Sequence, residues 1–139
     1  DTCDREVIRY IAKTDPILAV DIQALMLMCV ESRFEGTQAP RKIQWLSDRG
    51  SIYRAEETQV VARQLNLEPC YTMAYSPESN GMAEALVHTI KRDYVYVNDC
   101  VDPATVLAML PAWFEDYNRV APHSSLGMMS PVEYRSIIS

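Results

Sequence analysis

The chain has 139 residues, 48% of them hydrophobic and 23% charged, which suits one globular domain with a core of ordinary size. Its formal net charge of −6 counts against an autonomous nucleic-acid binder, because phosphate contact is driven by Lys and Arg. No apolar run approaches the roughly 18 residues of a membrane span, and the opening DTCDREVIRY lacks a signal peptide's apolar stretch.

The chain opens on Asp1 rather than methionine, so a piece of a longer product is expected. Its four cysteines (Cys3, Cys29, Cys70, Cys100) are widely spread with no Cys-x-x-Cys pair, and are read as reduced thiols of a cytoplasmic protein.

Residues 7–13 (VIRYIAK) mix β-branched and aromatic residues with partial alternation and predict a strand, which Asp15-Pro16 ends. Over residues 17–34, Ile22, Leu25, Met26 and Cys29 recur at helical spacing, predicting a long amphipathic helix. Residues 42–47 (KIQWLS) alternate Ile43 and Trp45 with polar neighbours, as a short strand does, and run into the turn Asp48-Arg49-Gly50. A second helix is predicted over 55–67, with Val60, Val61, Leu65 and Leu67 as its apolar contribution, and a strand over 68–75. Residues 76–81 (SPESNG) are dense in helix breakers and predict a loop. A long helix to about Tyr96 follows it, then a last helix over 103–119 and an irregular tail. Strand and helix alternating in this way predict an α/β fold with a sheet that is at least partly parallel. Sites in such sheets form at the carboxyl ends of strands, where Asp48 falls.

Alone, Asp48 reads as a turn aspartate binding nearby backbone N–H groups, and Glu84 as a carboxylate favoured by the start of its helix. Helical spacing adds a second reading for Glu84. Ala83, Leu86, Val87, Ile90, Tyr94 and Val97 form one apolar stripe, and Glu84, His88 and Lys91 a polar stripe at its edge. A carboxylate there can lean over the rim of a sheet, and two acidic groups at such a rim suit a divalent cation. His88 is read as a solvated helix residue and His123 as a brace of the C-terminal loop. Lys91 and Arg92 are the candidates for phosphate contact, and Asn80 with Gly81 is read as setting the turn before Glu84.

Four blocks carry a family resemblance. Ser47-Asp48-Arg49-Gly50-Ser51-Ile52-Tyr53 and the SPESNGMAE segment ending at Glu84 resemble the S-D-x-G-S-x-Y and S-P-x-S-N-G-x-A-E segments of insertion-sequence transposases. Thirty-five residues separate Asp48 from Glu84, the interval of retroviral-integrase-like enzymes, and Lys91 matches a basic residue seven positions after the glutamate. Tyr117-Asn118, the PHSSLG run from Pro122 and Ser130-Pro131 are similar to the family's closing signature.

The resemblance implies a ribonuclease H-like mixed sheet flanked by helices, and a DDE-type catalytic core cleaving and joining DNA. It implies two Mg²⁺ (or Mn²⁺) ions held by an Asp-Asp-Glu triad, with Asp48 and Glu84 as two of its members. Lys91, Arg92 and Asn80 become the DNA-contacting candidates, transposon ends and target DNA the partners, and a homo-oligomer the active form. The family's first aspartate lies on an earlier strand, upstream of the segment that resembles DTCDRE. The whole of residues 1–139 is therefore expected to be a partial core that lacks the first strand, with Asp1 given no catalytic role. Residues 7–13 and 42–47 would then flank a gap rather than pair with each other. Ala85 and Val120-Ala121 depart from the family pattern. The alternative is an inactive or domesticated remnant acting as an interaction domain, and a third reading is a nuclease of this fold without strand transfer.

Overall fold

The computed structural model describes residues 1–73, 80–100 and 102–139. The chain divides into two compact units, one of residues 8–81 and the other of residues 1–7 with 82–139.

In the first unit, helix α1 (Ala19–Phe34) buries Ile22, Met26 and Val30 along one side. Its start is held by Asp21, whose carboxylate accepts the Leu18 N–H at 2.7 Å and pairs with Lys13. Strand β1 (Ile43–Ser47) leads through a turn into the short α2 (Ser51–Arg54), α3 (Glu56–Gln64) and strand β2 (Leu67–Tyr71). The strands pair in parallel, with Ile43 opposite Leu67 and Ser47 opposite Tyr71, so the parallel sheet expected from the alternation of elements is present. Ile22, Met26, Val30, Ala62, Leu65 and Leu67 form the core, and Ile43, Trp45, Ile52 and Tyr53 pack against it. Gln44 and Leu46 point the other way and are exposed, as strand alternation requires. Thr58, fully buried, donates to the Ile52 carbonyl at 2.9 Å and accepts from Gln23, tying α3, α2 and α1 together.

In the second unit, α4 (Gly81–Ile90) continues into a π-helical turn (Lys91–Val95), followed by α5 (Pro103–Arg119) and α6 (Pro131–Ile138). Asp102 caps α5 through the Thr105 N–H at 2.7 Å, with Pro103 at the first helical position. Tyr94 is buried: its ring lies 6.0 Å from that of Trp113, and its hydroxyl donates to Asp116 at 2.7 Å. Asn118 clamps the backbone of Val7, its Oδ1 accepting the Val7 N–H and its Nδ2 donating to the Val7 carbonyl, both at 2.9 Å. Glu6 pairs with Arg135 of α6 at 2.9 Å.

Several expectations need correction. Residues 7–13 form no strand, and the sheet among the described residues has two strands, with no ladder from residues 8–13 to β1. Side chains hold its two ends instead: Asn118 takes both backbone groups of Val7, and the Lys13 side chain pairs with Asp21. The predicted helix over 55–67 stops at Gln64, because Asn66 adopts a left-handed φ of 63° and Leu67 opens β2. That strand ends at Tyr71; residues 74–75 of the predicted strand, and 76–79 of the predicted loop, lie outside the described residues. The tail is not irregular. Ser130 and Glu133 form a capping box in which each side chain bonds the other's backbone N–H, and α6 follows. All four cysteines are free thiols.

Candidate functional site

Asp48 stands at the carboxyl end of β1, one residue past its last rung. The Gly50 N–H donates to Asp48 Oδ1 at 2.7 Å, so the turn-aspartate reading is correct as local geometry. Gly50 has a second role. A Cβ built there would lie 2.9 Å from Asp48 Oδ1 and 3.3 Å from the Tyr53 ring, so any larger residue would press the carboxylate out of its present position. The Tyr53 phenol is pushed up from its ordinary pKa, first by burial and then by the Asp48 charge. Arg49 donates from Nε to the Thr72 carbonyl at 3.0 Å, bracing the turn against the end of β2. Asp48 is exposed, with Oδ2 the carboxylate oxygen that Gly50 does not bind.

Glu84 lies in the first turn of α4 and is exposed. The apolar stripe expected to bury this helix does not do so. None of the described residues of α4 is buried, Val87 is 51% and Val97 70% exposed, and of the six stripe residues only Tyr94 reaches the core. Periodicity identified an apolar face but not what covers it. Asn80 sits in the helical turn leading into α4. Gly81 is the first residue of α4, its φ is not positive and an added Cβ would meet open space, so its presence is not a conformational requirement.

Lys91 and Arg92 are both exposed at the start of the π turn. Arg92 is held by its neighbour: Nε and a terminal nitrogen bond the two Asp93 oxygens at 2.6 and 2.9 Å. Asp93 is lowered from its ordinary pKa by that hydrogen bond. His88 is exposed, while His123 braces the tail through the Tyr117 carbonyl at 3.2 Å and an edge contact with the Tyr117 ring at 4.5 Å. Arg49 and Gly50 escaped the sequence reading as site residues, although both lie in the block that identified Asp48.

Asp48 in one unit and Glu84 in the other are each exposed carboxylates, oxygen donors of the kind that suits a hard divalent cation. Among the described residues no three His, Cys, Asp or Glu side chains form a metal-binding group.

Residues 65–131 match the integrase core domain family. An insertion element IS136 protein of Agrobacterium fabrum is 46% identical over 135 residues, covering 96% of this chain and 69% of its own length. The chain belongs to the integrase-core family of insertion-sequence transposases. A putative transposase InsD for insertion element IS2E of Escherichia coli is likewise 46% identical, and the chain spans 62% of it. The transposase InsD for insertion element IS2D is longer, and the chain spans 44% of that protein. The crystal structure of the catalytic core domain of BIV integrase superposes with a TM-score of 0.65 at 20% identity, covering 99% of this chain and 82% of that one. The family member therefore has the ribonuclease H-like α/β fold. No described helix is long and apolar enough to cross a membrane.

Proposed function

We propose that this chain is the part of a transposase catalytic core that supplies two carboxylates, Asp48 and Glu84, to a divalent-metal site acting on DNA ends. The observation that carries the reading is Asp48: an exposed carboxylate at the carboxyl end of a parallel strand, oriented by Gly50, in a chain 46% identical to proteins named transposases.

Asp48 and Glu84 would hold Mg²⁺ or Mn²⁺, with a third carboxylate completing the triad. When bound, such ions activate an oxygen nucleophile and stabilise the leaving oxygen of a phosphodiester. Lys91 would neutralise a backbone phosphate, Arg92 could join it only by releasing Asp93, and Asn80 would approach the DNA at the start of α4. Cleavage uses water and strand transfer a DNA 3′-hydroxyl, with transposon ends and target as partners and a homo-oligomer as the active assembly. In the intact protein, Asp48→Asn and Glu84→Gln should each reduce cleavage and joining by on the order of a thousandfold, several kcal/mol of transition-state stabilisation. Joining by either variant at the unmutated rate sinks the metal role.

The net charge of −6 and the Arg92–Asp93 pair favour a second reading, an interaction domain without catalysis. Metal-dependent nicking by the intact protein that disappears in Glu84→Gln would dismiss it.

A further inference from the structure

The β1–β2 ladder ends in an unusual way. Its register runs from Ile43 opposite Leu67 to Ser47 opposite Tyr71. The Ile43 N–H donates to the Asn66 carbonyl at 3.1 Å, and the Thr72 N–H donates to the Ser47 carbonyl at 2.9 Å. Bonds in a parallel ladder are evenly spaced, every second residue donating to the partner. Residues 43, 45 and 47 thus face β2, and the next donor would be the backbone N–H of residue 49, facing the Thr72 carbonyl.

The backbone does not supply that rung. It turns at Asp48, and the Arg49 side chain supplies it, with Nε 3.0 Å from the Thr72 carbonyl oxygen. Thr72 is 8% exposed, and a carbonyl in a buried residue needs a partner. The side chain therefore extends the ladder while the main chain is released to turn. That release lets the Gly50 N–H bond Asp48 Oδ1 and hold the carboxylate at the end of the strand.

We propose that Arg49 is a positioning residue for Asp48: its guanidinium replaces the missing rung and so fixes the turn that presents the carboxylate. The proposal rests on the reading of Asp48 as a metal-binding group. The planar guanidinium suits this task, since its Nε–H has a direction set by the plane, whereas a lysine ammonium is a freely rotating point donor.

Two measurements on the intact protein test it: Mn²⁺ affinity, read from the resonance signal of the free ion, and cleavage of a plasmid carrying the element's ends as Mg²⁺ is raised. Arg49→Ala, shown folded by circular dichroism, should weaken Mn²⁺ binding roughly 10–100-fold, the usual effect of losing a residue that orients a ligand. Its cleavage should recover as the cation is raised towards saturation. Arg49→Lys, milder for folding, should move in the same direction. Mn²⁺ affinity equal to the unmutated protein's in either folded variant overturns the proposal. So does weaker DNA binding with a salt slope reduced by about one and no change in Mn²⁺ affinity, which would make Arg49 a phosphate contact. Asp48→Asn is the control. If it keeps both Mn²⁺ binding and cleavage, the metal reading itself falls; if it loses both while Arg49→Ala does not, only the positioning role falls.

Discussion

Asp48 and Glu84 bear the same functional group, yet the chain holds them by different means. Asp48 follows a strand whose neighbours are tied on every side: Thr72 to Ser47, Arg49 to Thr72, Gly50 to the carboxylate, and Thr58 to Ile52 just beyond. Glu84 rides on a helix with none of its described residues buried, and the anchors of that stretch lie further along, at Tyr94. Packing and hydrogen bonds already fix the surroundings of the strand-borne carboxylate, whereas the helix-borne one stands on an exposed turn.

Core deletion sharpens the contrast most. Met26→Ala, at a side chain 1% exposed, should destabilise the protein by about 2–5 kcal/mol. Val87→Ala on α4, 51% exposed, should stay within about 0.5 kcal/mol. Denaturant titration of both variants checks the pair, and equal losses would show that α4 is packed after all. Next comes Gly50→Ala, whose Cβ must displace the Asp48 carboxylate or the Tyr53 ring. The displacement needed is a few tenths of an ångström, so cleavage should fall by less than the roughly hundredfold that a misplacement of about 1 Å costs. Cleavage by Gly50→Ala at the unmutated rate would mean that Asp48 needs no such precision. Ser130→Ala removes one half of the α6 capping box and should cost about 1 kcal/mol in thermal denaturation. An unchanged melting temperature would show that the Pro131 start suffices.

The smallest effect is acid sensitivity at the caps. Asp21 is held below its ordinary pKa, first by the Lys13 hydrogen bond and then by the Leu18 N–H. Glu133 is lowered by the Ser130 N–H and hydroxyl. Both groups bind protons more weakly folded than unfolded, so their contribution is full above the ordinary carboxylate range of about 4 and is lost as pH falls through the lowered values. Asp21→Asn should flatten part of the loss of stability below about pH 4. An identical acid limb in the variant would remove Asp21 from that account.

Much of this was legible because local chemistry and pattern agreed. Ile43 and Trp45 alternate and do face the core, α1 and α5 lie where their periodicity puts them, and Asp48 ends β1. Residues 7–13 misled because β-branched composition states a preference, while a strand needs a partner strand, and the partners at its two ends are the side chains of Asn118 and Asp21. The start of α6 was readable in Ser130-Pro131-Val132-Glu133, a capping box with proline at the first helical position. The Arg49 rung was not readable, because it depends on a register that exists only once β1 and β2 have paired.

The Asn118 clamp and the Glu6–Arg135 pair join residues 111 and 129 positions apart. One unit is therefore a continuous stretch, residues 8–81, and the other is assembled from both ends of the chain. During synthesis the continuous unit has all its parts once residue 81 has left the ribosome. The first seven residues must wait for Asn118 and then Arg135, the better part of a further sixty residues, or on the order of 3–12 s of translation. Nascent chains arrested with residue 100 just exposed should protect residues 8–73 from protease and leave residues 1–7 open to it. Protection of both segments at that length would mean that the N-terminal segment finds its place without the clamp.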